Sequence, residues 1–312
     1  MTESFSDIRF LERNQIDTVK WDQVISNSPN GLIYARSFYL DLMAENWSAL
    51  VSGDYEFIMP LTWNKKYGFT YLYQPYFTKS LGVFGNNNGV FEISPFLKAI
   101  PAKFRYWDID LNENNFVSIE TKKNKLIQYA RTNHLLSLKD EYDRIRLQYK
   151  RLANRMRRKA SENNLRVVTG EDPSLIINLY KQDYRKFHRS IKETVYNRLI
   201  QCTTLAFKEK LAATYLATTA GGEILAYYMI LEDTQFVYSL IGGSNAKGKT
   251  LGAFYLLTDA IIRDHAGMDK IFRFEGSDIA GISFFDALFG PEKISYLHLA
   301  MNNLPFPFRL FK

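Results

Sequence analysis

The sequence predicts an α/β fold of the α+β kind, built as two tandem domains that each hold a mixed, mostly antiparallel sheet flanked by helices. Three observations predict it. In the second half, the apolar runs 212–219, 224–232 and 235–241 are separated only by the turn signals Gly221-Gly222 and Glu232-Asp233, which leaves room for antiparallel hairpins and nothing longer. A Gly/Ser-rich loop, a helix and a further strand come next, and that crossover makes the sheet mixed. A fainter copy of the same element order occupies the first half.

Taken in order, the first half reads as strand 9–12, short helices 21–25 and 37–46, strands 48–51, 56–64 and 69–76, a Gly/Asn-rich loop 82–89, helix 94–100 and strand 104–110. No Pro/Gly linker follows, and the domains are set at 1–140 and 141–312. The second half opens on a basic helix, 144–159, because Ile145, Tyr149, Leu152, Met156 and Ala160 recur at spacings of three and four and form one apolar stripe that ends near Asn163-Asn164. Strand 165–169 and helices 173–188 and 191–208 precede the three hairpin strands. After them come the loop, helix 251–265, strand 270–275, helix 282–289 and strand 295–301. The order is βααβββαβαβ.

Composition narrows the function classes. A chain of 312 residues, 46% apolar and 15% aromatic, can bury two cores. It has no apolar run near the ~20 residues of a membrane span, and charges stand where a signal peptide would be apolar, so the expectation is a cytoplasmic protein with no stable membrane insertion. The aromatic tail 306–312 is expected to pack across the domain junction rather than to brush a membrane. Cys202 has no disulfide partner and is expected to pack beside Leu199 and Leu205. The four histidines lack ligand spacing, so no metal is expected. The net charge of +7 is concentrated in one place: Arg144 to Lys159 carries eight cations and no acid. That stripe has three readings, a solvated face, a dock for an anionic partner, or an RNA contact surface.

Gly243-Ser-Asn-Ala-Lys-Gly248-Lys249-Thr250 fits the nucleotide-binding pattern G-x-x-x-x-G-K-[ST] letter for letter. Its setting does not fit. An NTPase needs a parallel sheet and a metal-holding Asp downstream, whereas the strands before this loop are antiparallel and only 62 residues follow Thr250. The loop still offers backbone amides to an anion, with Lys249 meeting a phosphate or pointing to solvent.

An antiparallel meander that feeds a helix through an amide-rich loop resembles the GNAT superfamily of N-acyltransferases, whose loop holds the pyrophosphate of coenzyme A. The resemblance implies a cofactor-binding set of Ile241, Gly242, Gly243, Ser244, Gly248, Lys249 and Thr250. The superfamily signature Q/R-x-x-G-x-G/A is altered here to Ser244-Asn-Ala-Lys-Gly248-Lys-Thr-Leu-Gly252-Ala. Ile271-Phe-Arg-Phe-Glu275-Gly276-Ser277, then Phe284-Phe285-Asp-Ala-Leu-Phe289-Gly290 and Tyr296, is similar to the closing motif of the Fem-like branch of tandem GNAT domains. The basic helix before a strand also looks like the start of that branch's second domain, and in the first half the Tyr71-Leu-Tyr-Gln74-Pro75-Tyr segment matches. Fem enzymes move an amino acid from aminoacyl-tRNA, and a Phe-Lys pair in their motif faces the developing charge. Here the pair is Phe285-Asp286, and a carboxylate cannot replace that cation.

The resemblance implies transfer of an acyl or aminoacyl group, from a coenzyme A thioester or an aminoacyl-tRNA ester, to a small-molecule or peptide-like amine by direct attack. The strand 238–242 would stabilise the oxyanion through a splayed backbone amide, with Gly242-Gly243 relaxing the chain, or those glycines merely turn it. Glu275, at a strand's carboxyl end, is the candidate for orienting or deprotonating the amine, against a plain ion pair with Arg273. Tyr238 and Ser277 complete the catalytic candidates; Ser277 and Asp278 equally suit a helix cap. Tyr73, Gln74 and Tyr76, as lining of a cleft between the halves, and Arg155 on the basic helix are the substrate-binding candidates. The alternative is a catalytically silent module of the same fold that binds RNA or another polyanion through helix 144–159. Oligomeric state cannot be read.

Overall fold

The computed structural model describes residues 5, 7–86, 89–118, 126–184, 191–276 and 278–311. The strands are β1 (Ile8–Glu12), β2 (Asn46–Ser52), β3 (Phe57–Lys66), β4 (Phe69–Tyr73), β5 (Phe104–Asp110), β6 (Leu126–Ser137), β7 (Arg166–Thr169), β8 (Ala212–Thr218), β9 (Ile224–Glu232), β10 (Phe236–Ser244), β11 (Ile271–Arg273) and β12 (Glu292–Asn302), with three further two-residue strands. The α-helices are α1 (Thr18–Asn27), α2 (Ser37–Met43), α3 (Ser94–Ala99), α4 (Tyr142–Arg146), α5 (Arg151–Glu162), α6 (Pro173–Tyr184), α7 (Glu193–Lys208), α8 (Ala246–Leu251), α9 (Ala253–His265) and α10 (Ala280–Asp286). The chain divides into two compact units, residues 1–131 with 295–312, and residues 132–294. The sequence-based expectation puts the division at 141 and keeps the tail with the second half.

In the first unit the strands run β1-β2-β3-β4-β5-β12, antiparallel throughout except where β4 and β5 lie parallel. The core gathers Leu50, Met59, Leu61, Leu72, Phe96, Phe104 and Trp107. Leu299 of the last strand joins them, fully buried and registered opposite Ile109.

The second unit orders its strands β6-β11-β10-β9-β8-β7, and only the β10–β11 pair is parallel. The meander β8-β9-β10 forms as its turn chemistry predicts. β6 was not foreseen; its residues 135–137 pair with β11. β10 carries one extra residue, because Ile230 faces Ser239 while Met229 faces Ile241, so Leu240 drops out of the ladder as a β-bulge. The side chains change phase there. Val237 and Ser239 share a face with Gly242 and Ser244, while Tyr238 shares the other with Ile241 and Gly243.

Three helix expectations change. The basic helix is two, α4 and α5, with residues 147–150 between them. The loop helix begins earlier than expected and breaks at Gly252 (φ +79°), where a Cβ would stand 2.3 Å from the carbonyl oxygen of Met156 on α5. α6 ends at Tyr184 within the described residues, and 185–188 of the expected helix lie outside them. Cys202 is fully buried, which pushes its thiol up to about 12 and makes it inert, while Leu205, expected to pack against it, is exposed.

Candidate active site

Parallel pairing of β10 with β11 ends at the Tyr238–Arg273 pair, although β10 runs on to Ser244. Among the described residues no strand joins β10 on that side beyond Tyr238. The bulge removes Leu240 from the ladder with β9 as well, so at Leu240 the strand is registered with neither neighbour, while Ser239 and Ile241 keep their partners on β9. Ser239 and Leu240 are half-buried rather than sealed.

Glu275 lies just past the end of β11 in a left-handed conformation, φ +60°, costly for a residue with a Cβ. Both its carboxylate oxygens are engaged: Arg273 Nε donates to Oε1 at 3.0 Å and Asn133 Nδ2 to Oε2 at 2.8 Å. The Glu275 amide donates in turn to Asn133 Oδ1 at 2.9 Å. The Arg273 and Glu275 side chains are only 1% and 5% exposed. This is the ion-pair arrangement that the sequence reading set against a catalytic base. Ser277 lies outside the described residues. Its neighbour Asp278 accepts from the Thr132 amide at 3.1 Å. The helix cap that stood as the other reading of Asp278 is absent, since the cap position before α10 is Ile279, with no side-chain hydrogen bond.

Tyr238 is buried and donates its hydroxyl to Asp233 Oδ2 at 2.6 Å, across the turn that starts its own strand. Burial raises the Asp233 carboxyl above its ordinary value despite that bond. On the opposite face, Tyr228 donates to Ser239 Oγ at 2.8 Å. Asp286, the residue at the Fem lysine position, is also buried, with Oδ2 3.8 Å from His134 Nδ1. Burial lowers the His134 pKa, so the ring is neutral near pH 7. Asn133 and His134 escaped the sequence reading because more than a hundred residues separate them from Glu275 and Asp286, and no local pattern marks them.

The loop differs from the expected cradle. Asn245 caps α8, and its Oδ1 accepts the Gly248 amide at 2.7 Å, so that amide is taken. A Cβ on Gly248 would meet the Leu225 carbonyl oxygen at 2.2 Å and Ser244 Oγ at 2.5 Å, which makes this glycine a packing requirement. Ser244 Oγ donates to the same carbonyl at 3.0 Å. Gly242 lies under the Phe254 ring and Gly243 under the Tyr227 hydroxyl, each where a Cβ would collide. Ile241 is buried on the Gly243 face. Lys249 and Thr250 sit inside α8, both exposed, with Thr250 Oγ1 donating back to the Ala246 carbonyl at 3.1 Å. The nucleotide-loop letters are thus present without nucleotide-loop geometry.

The basic stripe is less lonely than its sequence implied. Arg144 meets Asp140 at 3.4 Å, Arg146 meets Asp143 at 3.4 Å, and Arg157 reaches buried Asp259 at 3.9 Å. Arg151, Arg155 and Arg158 remain exposed along one face of α5, with Lys150 just before it. In the first unit, Gln74 spends its side chain on the fold: Nε2 donates to the Thr78 carbonyl and Oε1 accepts the Asp110 amide, both at 3.1 Å. The Tyr73 hydroxyl accepts the Glu45 amide at 2.8 Å, and Tyr76 is 44% exposed. Beside them lies a polar cluster that the sequence hid, in which His298 Nδ1 bonds Asp110 Oδ1 at 2.9 Å while Arg131 Nη1 reaches Asp110 Oδ2 at 3.3 Å.

No protein-family model matches the chain, and no curated protein does. Solved structures do resemble it. FemX superposes with a TM-score of 0.66 at 12% identity, covering 97% of this chain and 99% of that one. L-PGS from Bacillus licheniformis gives 0.56 at 10% identity over 95% of each chain. A tandem GNAT protein from the clavulanic acid biosynthesis pathway gives 0.56 at 10% over 96% and 99%. These likenesses join the antiparallel meander, the bulged central strand and the parallel strand after the crossover helix: the chain has a Fem-like tandem GNAT fold.

Proposed function

We propose that this protein is a transferase that moves an acyl or aminoacyl group to an amine by direct attack at the opening between β10 and β11. The observation that carries the reading is the backbone at Leu240, beyond the reach of β11 on one side and bulged out of the ladder with β9 on the other. An amide there can donate to the oxygen of a bound ester or thioester carbonyl as that oxygen gains charge. The amine nitrogen attacks the carbonyl carbon, a C–N bond forms, and the C–O or C–S bond breaks as the carrier leaves as alkoxide or thiolate and takes up the proton that the amine gives up. Alignment supplies much of the rate, since Glu275 is held by Arg273 and Asn133 and acts in this reading through the shape it gives the end of β11.

The donor follows from the loop and α5 together. With the Gly248 amide capped and the space beside it filled, the loop does not fit a compact pyrophosphate as a ring of amides. Arg151, Arg155, Arg158 and Lys249, all exposed, suit an extended polyphosphate carrier, which favours an aminoacyl-tRNA ester over acyl-CoA. The test is thermal unfolding with each donor, followed by a transfer assay against a panel of amines. Aminoacyl-tRNA is expected to raise Tm, with a salt-dependent gain that Arg155→Glu with Arg158→Glu reduces. If acyl-CoA is the donor instead, the gain comes from it and Lys249→Glu abolishes it. Protection by neither donor, with no amine acylated, overturns the transferase reading. Salt-dependent binding of RNA that carries no aminoacyl ester, without any transfer, supports the second reading, a silent polyanion-binding module, which the carboxylate of Asp286 at the lysine position favours.

A further inference from the structure

The first unit carries a surface unrelated to any of these groups. The hairpin between β3 and β4 turns at Tyr67-Gly68, and the segment after β12 folds back beside it: the Phe308 ring lies 5.1 Å from Phe69 and 6.4 Å from Tyr67. Lys66, Tyr67, Phe69, Tyr71, Tyr106 and Phe308 enclose a cavity of about 390 Å³. Large apolar groups on the lining segments face solvent: Tyr67, which lines the cavity, is 75% exposed, and Phe306 and Leu310, two residues to either side of Phe308, are 82% and 71% exposed. Isolated exposed apolar residues are ordinary, but three of this size on the two segments that line one cavity are not.

Cations predominate among the exposed charges of the hairpin and of the segment after β12. Lys65, Lys66, Arg105 and Arg309 are all exposed. Lys66 stands 5.2 Å over the Tyr67 ring and Arg105 5.8 Å over Phe69, which sets cations among the rings. Asp108, half-exposed, bonds the lining, its Oδ2 accepting from the Tyr106 hydroxyl at 3.1 Å; the hairpin 65–69 and residues 304–310 contain no Asp or Glu. Aromatic and aliphatic side chains that reach outward from a ring of Lys and Arg complement a bilayer interface, where rings enter the headgroup level and cations meet anionic lipid. No described helix is long and apolar enough to cross a membrane, so any contact here is made by side chains at the surface. We infer that this face, hairpin 65–69 with Arg105 and residues 304–310, docks on an anionic lipid bilayer.

The experiment is flotation of the full chain with vesicles of phosphatidylcholine alone and of phosphatidylcholine with phosphatidylglycerol. Binding is expected only with the anionic lipid and is expected to weaken as salt rises. Each lost cation should reduce partitioning roughly fivefold, so Lys65→Ser with Lys66→Ser should reduce it tenfold or more. Phe306→Ser with Leu310→Ser should reduce it comparably, and exposed positions such as these should leave the unfolding temperature unchanged. Arg155→Glu with Arg158→Glu, on the other unit, should leave vesicle binding intact. Equal binding to both vesicle types, binding to neither, or full binding by the face variants overturns the inference. So does sedimentation showing a dimer that Phe306→Ser dissolves, which would assign the face to a second copy.

Discussion

At Glu275 one residue carries three constraints: a left-handed backbone, a buried carboxylate, and two donors that fill it. An acid so placed is stable only while its partners stay. Arg273→Met should therefore cost about 3–5 kcal/mol in chemical denaturation, because it strands a charge in the interior. Adding Glu275→Gln should recover much of that loss, since the amide keeps its bond to Asn133 without the charge. A single substitution that costs under ~1 kcal/mol would show the pair to be dispensable. Sequence could name Glu275 and its neighbour Arg273, two positions apart and on one face, but not Asn133, which arrives from a strand with no local signature. The same limit applies to Gly248. Its motif suggested a phosphate cradle, yet the reason for a glycine there is the Leu225 carbonyl on the preceding strand.

Among the elements, hairpins were the most legible because two-residue turns leave no alternative pairing, and β8, β9 and β10 follow the predicted order. The break at Gly252 was not legible: a glycine inside a helical pattern costs only about 1 kcal/mol, and what forces the break is a carbonyl on α5 almost a hundred residues earlier. The end of β9, the end of α9 and the start of β11 also meet in a charge cluster. Glu232 lies 3.6 Å from His265 and 2.8 Å from Lys270. The pairing with His265, with the Lys270 hydrogen bond adding to it, pulls the Glu232 carboxyl down to about 2 although burial opposes the shift. The His265 pKa is raised, because its bonds to Glu232 and the Ile261 carbonyl outweigh burial. The raised histidine stabilises the fold fully below its unfolded pKa of about 6.5 and loses that effect as pH rises through its folded value; the depressed glutamate stabilises above about 4.5 and loses its effect as pH falls. Glu232→Gln should thus cost on the order of 2 kcal/mol, most of it between about pH 4.5 and 6.5 and less on either side. Denaturation curves across that range give the check, and a pH-independent difference would exclude the histidine from it.

Across the whole molecule, tandem architecture was legible from repeated element order, but the return of residues 295–312 to the first unit was not, since a strand pattern does not name its partner. The pairing of β12 with β5 and the burial of Leu299 make this segment part of that unit's core. A chain ending at residue 294 should lose amide protection across β1 to β5 in hydrogen exchange while β8 to β10 stay protected. Equal loss in both units would contradict the division. One consequence concerns synthesis, which runs from residue 1 upward. The unit encoded first cannot close its sheet until positions 298–302 have left the ribosome, whereas the unit encoded second has its whole sequence by residue 294. Domain order along the message and order of completion are therefore reversed, and the early half must wait, with one edge of β5 open, for the last stretch of chain to arrive.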